Sequence, residues 1–282
     1  MKKKLRRSWL LTLTTDDRKV QKAAESSADV LILDLTDSVT PELKHEARRR
    51  VVDWLKGSHP FGDKQVAVKP NNLWSEWGRD DLEAISSLRM DVLYYPEARS
   101  ADEVRMVQRA LDEAGSQAEI AVLLETPQSF LEIRELAAVP RVTAFNHAQG
   151  DLSVNLGVAL TDSRETLLYT ASQLVLVARA YGLLAIDTAL PSDLRDAALS
   201  RRYIESSRRM GFQASSTFYA PHVDAINAVF SPGEKQLAEA REIIAEYEKV
   251  KKTGRAAYVR PDGRWVTVHQ FRQALEMLEQ FG

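Results

Sequence analysis

No cysteine occurs anywhere in the 282 residues, which removes disulfides, thiolate nucleophiles and cysteine metal sites and is compatible with a reducing compartment. No apolar run approaches the roughly 20 residues that a membrane-spanning helix needs, so no membrane association is expected. Charge of one sign is also missing. The formal net charge is -2, and lysine and arginine are spread along the chain instead of forming a basic face, which argues against a nucleic-acid partner. No Gly-x-Gly-x-x-Gly follows an apolar run, as a dinucleotide fold would ask, and no serine stands in a Gly-x-Ser-x-Gly setting. The start, Met1-Lys-Lys-Lys-Leu-Arg-Arg followed by Trp9 to Leu13, imitates a signal peptide. Its apolar stretch is short, however, and runs into Thr14-Thr15-Asp16-Asp17 without a small-residue cleavage site. It reads better as a strand, and the cytoplasm is the expected compartment.

What is present is an apolar content of 44%, enough for a substantial core, arranged as short runs separated by longer amphipathic stretches. Eight runs qualify as strands: Trp9 to Leu13, Val30 to Leu35, Gln65 to Lys69, Val92 to Tyr95, Ile120 to Leu124, Val142 to Phe145, Leu184 to Ile186 and Ala214 to Thr217. Helical patterns run from Pro41 to Lys56, Ala101 to Ala114, Pro127 to Ala137, Arg164 to Tyr181 and Asp196 to Met210, with Thr40, Ser100 and Thr126 placed as caps. Strand-helix alternation with short apolar strands implies a parallel sheet buried on both sides, and eight repeats favour an α/β fold of the (β/α)8 TIM-barrel type. The barrel is expected over residues 1–232. Residues 233–282 read as a C-terminal helical extension: a long charged helix from Glu234 to about Lys252, a turn around Arg260-Pro-Asp-Gly-Arg-Trp265, and a last helix from Val268 to Phe281.

In such a barrel the chemistry sits where strands end, so polar residues just after an apolar strand carry the most information. Five strands qualify, with Asp34, Thr36 and Asp37; Lys69, Asn71 and Asn72; Glu125 and Thr126; Asn146, His147, Gln149 and Asp151; and Asp187. Glu125 and Asp151 follow consecutive strands and could converge on one mouth, where two carboxylates with water oxygens suit Mg2+. Equally, Glu125 could cap the following helix and Asp151 the segment from Leu152. Asp34 and Asp37 belong either to the site or to the backbone of the loop before Pro41, and Lys69 is either an anion contact or a solvated lysine. Of the histidines only His147 stands at a strand end; His45, His59, His222 and His269 fall on helices, loops or the tail.

These segments resemble the HpcH/HpaI aldolase and citrate lyase β-subunit-like family. Ala28-Asp-Val-Leu-Ile-Leu-Asp34-Leu-Thr-Asp37-Ser-Val resembles its ADxxxLDLEDAV segment, Leu123-Leu-Glu125-Thr126 its LIET, and Gly150-Asp151-Leu152 through Leu156-Gly157 its EDLxxxLG. Ala178-Arg-Ala-Tyr-Gly-Leu-Leu-Ala-Ile-Asp187 resembles ARAxGxxAID, and Gly211-Phe212 with Ile226-Asn227-Ala-Val-Phe230-Ser-Pro232 completes the order. The resemblance implies a homo-oligomeric barrel, trimer or hexamer; a tail of this kind often packs on a neighbouring subunit. It implies Mg2+ or Mn2+ held by Glu125 and Asp151, and carbon-carbon cleavage or formation on a 2-hydroxy acid unit, with a hydroxy or keto acid or an acyl-CoA thioester of malyl, citramalyl or citryl type as substrate. Lys69 and Asp37 become the expected catalytic residues, and Lys69, Asp34, Asp37, Asn71 and Thr126 the expected substrate contacts.

The chain departs from the family at several chemically important positions. Thr36 replaces the first acid of the family's ED, Lys69 its VRVN arginine, Glu97 the lysine of PK, and Gly150 the glutamate beside the metal aspartate; Phe218-Tyr219-Ala220 stands for IHP. In the tail, Asp262-Gly263-Arg-Trp-Val-Thr267 resembles DGKMID with threonine for the aspartate used in proton transfer, a role that threonine cannot fill at neutral pH. His269 and Tyr219 are the nearest substitutes that the sequence offers. The departures leave two further expectations beside the lyase: a non-catalytic paralogue that binds a small acid or serves as a complex subunit, and a thioesterase on the same scaffold.

Overall fold

The computed structural model describes residues 4–57 and 60–282; Lys2, Lys3 and His59 lie outside them. Eight parallel strands form a closed barrel: β1 (Ser8–Leu13), β2 (Val30–Asp34), β3 (Gln65–Lys69), β4 (Val92–Tyr95), β5 (Glu119–Leu124), β6 (Val142–His147), β7 (Leu184–Thr188) and β8 (Ala214–Thr217). Each strand pairs with the next, and β8 closes on β1 through Ser8↔Ser215, Trp9↔Ser216 and Leu10↔Thr217. Closure leaves the barrel no free sheet edge.

Side chains alternate across a strand, so one set faces the barrel interior and the next faces the helices. The interior set is Trp9, Val30, Ile32, Ala67, Val92, Tyr94, Ala121, Leu123, Ala144, Ile186 and Ala214, with Leu11 and Leu184 against it. The outward set packs under α1 (Asp17–Glu25), α2 (Lys44–Lys56), α3 (Gly78–Ser86), α4 (Ala101–Glu113), α5 (Pro127–Leu131), α6 (Ile133–Ala137), α7 (Gln149–Leu156), α8 (Leu168–Tyr181), α9 (Ala197–Arg209) and α10 (Val223–Val229). Strands buried on both faces read as continuous apolar runs, which is why they were visible in the sequence.

Several helix boundaries differ from the sequence reading. Ser100 and Thr126 cap as expected, accepting from the N–H groups of Glu103 and Ser129. Thr40 makes no side-chain cap bond, and Pro41–Leu43 forms a 3-10 turn before α2. The stretch from Pro127 to Ala137 breaks at Glu132, whose carboxylate accepts the N–H of Ala101 at 2.9 Å and ties the break to the start of α4. Arg164 does not open a helix. It takes a left-handed backbone with φ 56°, and the chain passes through a 3-10 turn, Glu165–Leu167, into α8. The reason is a distant contact: the Arg164 guanidinium is drawn inward to the carboxylate of Asp187.

The chain divides into two compact units, one over Arg6–Asn227 and one formed by Ala228–Gly282 with the described start of the chain. In the second unit α11 (Glu234–Lys251) is followed by an antiparallel pair, β9 (Ala257–Val259) with β10 (Trp265–Thr267), and by α12 (Val268–Phe281). The sequence reading had a bare turn where this hairpin lies. Arg260 anchors it, donating to Glu242 at 2.8 Å and lying 3.1 Å from Glu246. Among the described residues no helix is long and apolar enough to cross a membrane.

Gly78 holds the loop after β3 in place. A Cβ there would stand 1.8 Å from the carbonyl oxygen of Asn72. Because that atom is backbone and cannot rotate away, Gly78→Ala should cost on the order of 2–3 kcal/mol. A fall in the midpoint of urea unfolding checks this, and an unchanged midpoint would show that the loop yields freely.

Candidate active site

Continuing the interior alternation two residues past Ile32, Ala67, Leu123, Ala144, Ile186 and Ala214 brings Asp34, Lys69, Glu125, Asn146, Thr188 and Ser216 to the C-terminal mouth. Lys69, Tyr94, Glu125, Asn146, Gly150, Asp151, Thr188, Ser216 and Thr217 line one cavity of about 200 Å³, with Leu11, Ile32, Leu123, Leu190 and Phe218 as its apolar wall. Of the residues singled out in the sequence, Lys69, Glu125, Asn146 and Asp151 are therefore brought together.

Glu125 is almost wholly buried. Its carboxylate accepts the backbone N–H of Glu97, and its own carbonyl accepts the side-chain amide of Asn155 at 2.8 Å. Thr126 caps α5, so Glu125 does not. Glu97 holds a left-handed backbone, φ 48°, that a non-glycine residue adopts only under constraint, and the Asn72 amide grips its side chain at 2.7 Å. Burial pushes the Glu125 carboxyl up to about 8; Lys69 pulls it down, while the Asp151 carboxylate pushes with burial. Asp151 stands in the first turn of α7, whose cap position is Ala148, so it is not the cap.

Lys69 is buried, which by itself would lower its pKa, but Asp34, Glu125, Asp37 and Asp151 together raise it above the ordinary lysine value. It is a fixed cation ringed by carboxylates. Asp34 accepts both the N–H and the hydroxyl of Thr36, at 2.9 and 2.7 Å, so the threonine at that departure orients an acid in place of supplying one. Asp37 is exposed and acts on Lys69 through its charge.

Of the expected substrate contacts, Asp34, Asp37, Asn71 and Thr126 do not line the cavity. The Asn71 amide is taken by Leu35 O at 2.8 Å and Asp81 at 2.6 Å, and its oxygen by Lys44 Nζ at 2.7 Å. Thr126 donates to Ala98 O at 3.0 Å while it caps α5. His147 and Asp187 have outward parity and lie between barrel and helices. His147 pairs with Thr170 at 3.0 Å, while Asp187 holds Arg164 and accepts from Gln149 at 2.6 Å. In the second unit, Thr267 serves as the cap of α12, accepting from the N–H of His269 and donating to Gln270 at 2.7 Å. Tyr219 stands edge-on to His222, with 5.0 Å between ring centroids. Tyr94 and Ser216 were missed because they lie inside the strands and not after them, and Thr188 because the reading stopped one residue short of it, at Asp187; strand parity was the signal that could have found them.

A divalent cation fits this donor set. Two carboxylates from neighbouring βα units share a cavity, one of them desolvated enough to resist ionisation. Among the described residues no third Asp, Glu, His or Cys joins them, which leaves the remaining positions to water and ligand oxygens, as Mg2+ prefers.

Over residues 7–220 the chain matches the family described as HpcH/HpaI aldolase/citrate lyase. The chain belongs to this family. Among curated relatives of the HpcH/HpaI chain, a (3S)-malyl-CoA thioesterase of Cereibacter sphaeroides is 30% identical, covering 92% of this chain and 89% of its own. An L-malyl-CoA/beta-methylmalyl-CoA lyase of Rhodobacter capsulatus is also 30% identical, with the same coverage of 92% and 89%. Among solved structures, the CitE protein of Mycobacterium tuberculosis in complex with magnesium, acetoacetate and coenzyme A superposes with a TM-score of 0.78 at 24% identity, covering 97% of each chain. That last likeness speaks to the fold alone.

Proposed function

We propose that this HpcH/HpaI chain is a divalent-metal-dependent carbon-carbon lyase or aldolase acting on a 2-hydroxy acid unit, as in a malyl-, citramalyl- or citryl-type CoA thioester. The observation that carries this reading is the convergence of Glu125, Asp151 and Lys69 on one cavity at the mouth of the barrel. Glu125 and Asp151 would hold Mg2+ or Mn2+, and the ion, when bound, supplies Lewis-acid polarisation of a substrate oxygen. Lys69 binds the carboxylate of the acid and steadies negative charge that bond cleavage leaves behind. As a point charge it grips less directionally than the family's arginine would. Asp34 and Asp37 keep Lys69 protonated, while Leu11, Ile32, Leu123 and Phe218 keep water from the reacting end. At about 200 Å³, the cavity is below the roughly 300–1,000 Å³ usual for ligand pockets. It suits the acid end of the substrate, with any CoA moiety outside.

The Cereibacter sphaeroides relatives named as (3S)-malyl-CoA thioesterases favour a second reading, hydrolysis of the thioester on the same scaffold. It would release free CoA together with an intact hydroxy diacid. Calorimetric titration of Mg2+ into metal-stripped protein, with and without pyruvate, glyoxylate or oxaloacetate, tests the metal site common to both readings. Metal binding should tighten at least about tenfold with one of these acids, and Asp151→Ala should lose it. Metal binding that is absent from the wild type, or unchanged in Asp151→Ala, would overturn the proposal.

A further inference from the structure

One polar wall of the cavity has no part in the chemistry above. It consists of Tyr94 from β4, Asn146 from β6, Thr188 from β7 and Ser216 from β8, all directed inward by strand parity and all lining the cavity. Asn146 is 1% exposed. Its Nδ2 lies 2.9 Å from Ser216 Oγ and its Oδ1 3.1 Å from Thr188 Oγ1. Thr188 also donates toward His147 O at 2.9 Å and stands 3.2 Å from Ser216, and the Tyr94 hydroxyl pairs with Ser216. An asparagine amide carries two N–H donors. Whichever way this amide is turned, one of its N–H groups meets a hydroxyl partner at most, and the other has no partner among the described residues.

A buried donor without a partner is costly, so an alkyl group set against this wall would strand it, whereas an oxygen there would satisfy it. The wall is uncharged, so it does not select a second carboxylate by charge. Thr188 and Ser216 fix the amide in place, and Tyr94 offers a further hydroxyl within the same cavity.

We infer that Asn146, supported by Thr188, Ser216 and Tyr94, forms a specificity subsite for a neutral oxygen. The favoured substrate half is then a short 2-oxo or 2-hydroxy acid bearing a hydroxyl, not a bare methyl, on the neighbouring carbon. This inference rests on the metal-and-acid reading of the same site.

The test is calorimetric binding of hydroxypyruvate and of pyruvate to the full chain with saturating Mg2+, with metal affinity measured in parallel without acid. The two ligands differ only by the hydroxyl. Wild-type protein should prefer hydroxypyruvate by about tenfold, the scale of one net hydrogen bond. Asn146→Leu should abolish the preference. Should that variant fail to fold, Ser216→Ala, which removes a single oxygen, should reduce it. Pyruvate binding as tightly as hydroxypyruvate, or a preference that survives in a folded variant, would overturn the subsite and leave the metal reading standing. Failure of both acids to bind in a metal-dependent way would remove the metal reading, and the subsite with it.

Discussion

Glu125→Gln should leave a folded barrel that no longer binds Mg2+ and no longer turns over. The substitution keeps shape and hydrogen-bonding capacity while removing the negative charge. The glutamate carboxyl is buried and stands at about 8, so an uncharged amide is no worse accommodated in the metal-free protein. Lys69 keeps Asp34, Asp37 and Asp151 as countercharges. A retained thermal transition is therefore expected alongside the loss of function. Lewis-acid assistance is worth several kcal/mol of transition-state stabilisation, so under the proposed function cleavage of a malyl- or citramalyl-type thioester should fall on the order of 10³-fold or more. Calorimetry and a coupled assay for acetyl-CoA and the 2-oxo acid read the two effects. Glu125→Gln that is folded, metal-free and still active would sink the metal-dependent mechanism.

The largest loss of stability should come from Asp187→Asn, far from any reacting atom. Asp187 is fully buried and Arg164 nearly so, and among the described residues the carboxylate is the only acid that the Arg164 guanidinium meets; its other contacts are Ser206 at 3.0 Å, Ser207 at 3.3 Å, the Met210 sulfur at 3.2 Å and the Tyr203 ring at 4.4 Å. Replacing the acid strands a charge inside the protein, which typically costs about 3–5 kcal/mol. For a domain of this size that is a fall in Tm of roughly 10 °C or more. The double replacement Arg164→Met with Asp187→Leu removes both charges and should recover a large part of the loss. If it is as unstable as the single variant, the stranded charge is not the cause.

The same pair makes a pH prediction. Burial pushes the Asp187 pKa up, but the approach of His147 and the charge of Arg164 outweigh it and hold the group below its usual 3.8. A depressed carboxylate contributes its full stability above the unfolded value and loses it only as pH falls through the folded one. Wild-type protein should therefore keep this contribution down to about pH 4.

How much of this was legible in the sequence depends on the range of the interactions. Most of the eight strands showed as apolar runs because both of their faces are buried, β8 with its Ser215, Ser216 and Thr217 being the exception, and Ser100 and Thr126 showed as caps because a cap bonds its own helix. Arg164 read as the start of a helix because periodicity counts only neighbours, whereas its position is set by Asp187. In the site, Lys69, Glu125 and Asp151 were found by their place after strands. Asn71 and Thr126 shared that place, but their side chains are consumed by Lys44, Asp81, Ala98 and Ser129. A strand-end rule tells where a residue is and not what its polar atoms are already bonded to. It also looks past residues inside a strand, and so it passed over Tyr94 and Ser216, and it stopped at Asp187, one residue before Thr188.

Glu97 gives the departures from the family a different weight. By the resemblance drawn from the sequence, a lysine is expected at that position and this chain has a glutamate, a reversal that looks severe on paper. Yet what reaches Glu125 from there is an N–H of the main chain, presented by a left-handed turn. Main-chain donors are common to every residue but proline, so the contact can persist while the side chain drifts. Sequence divergence at position 97 then alters the side-chain contact to Asn72 but not the kind of donor that Glu125 receives.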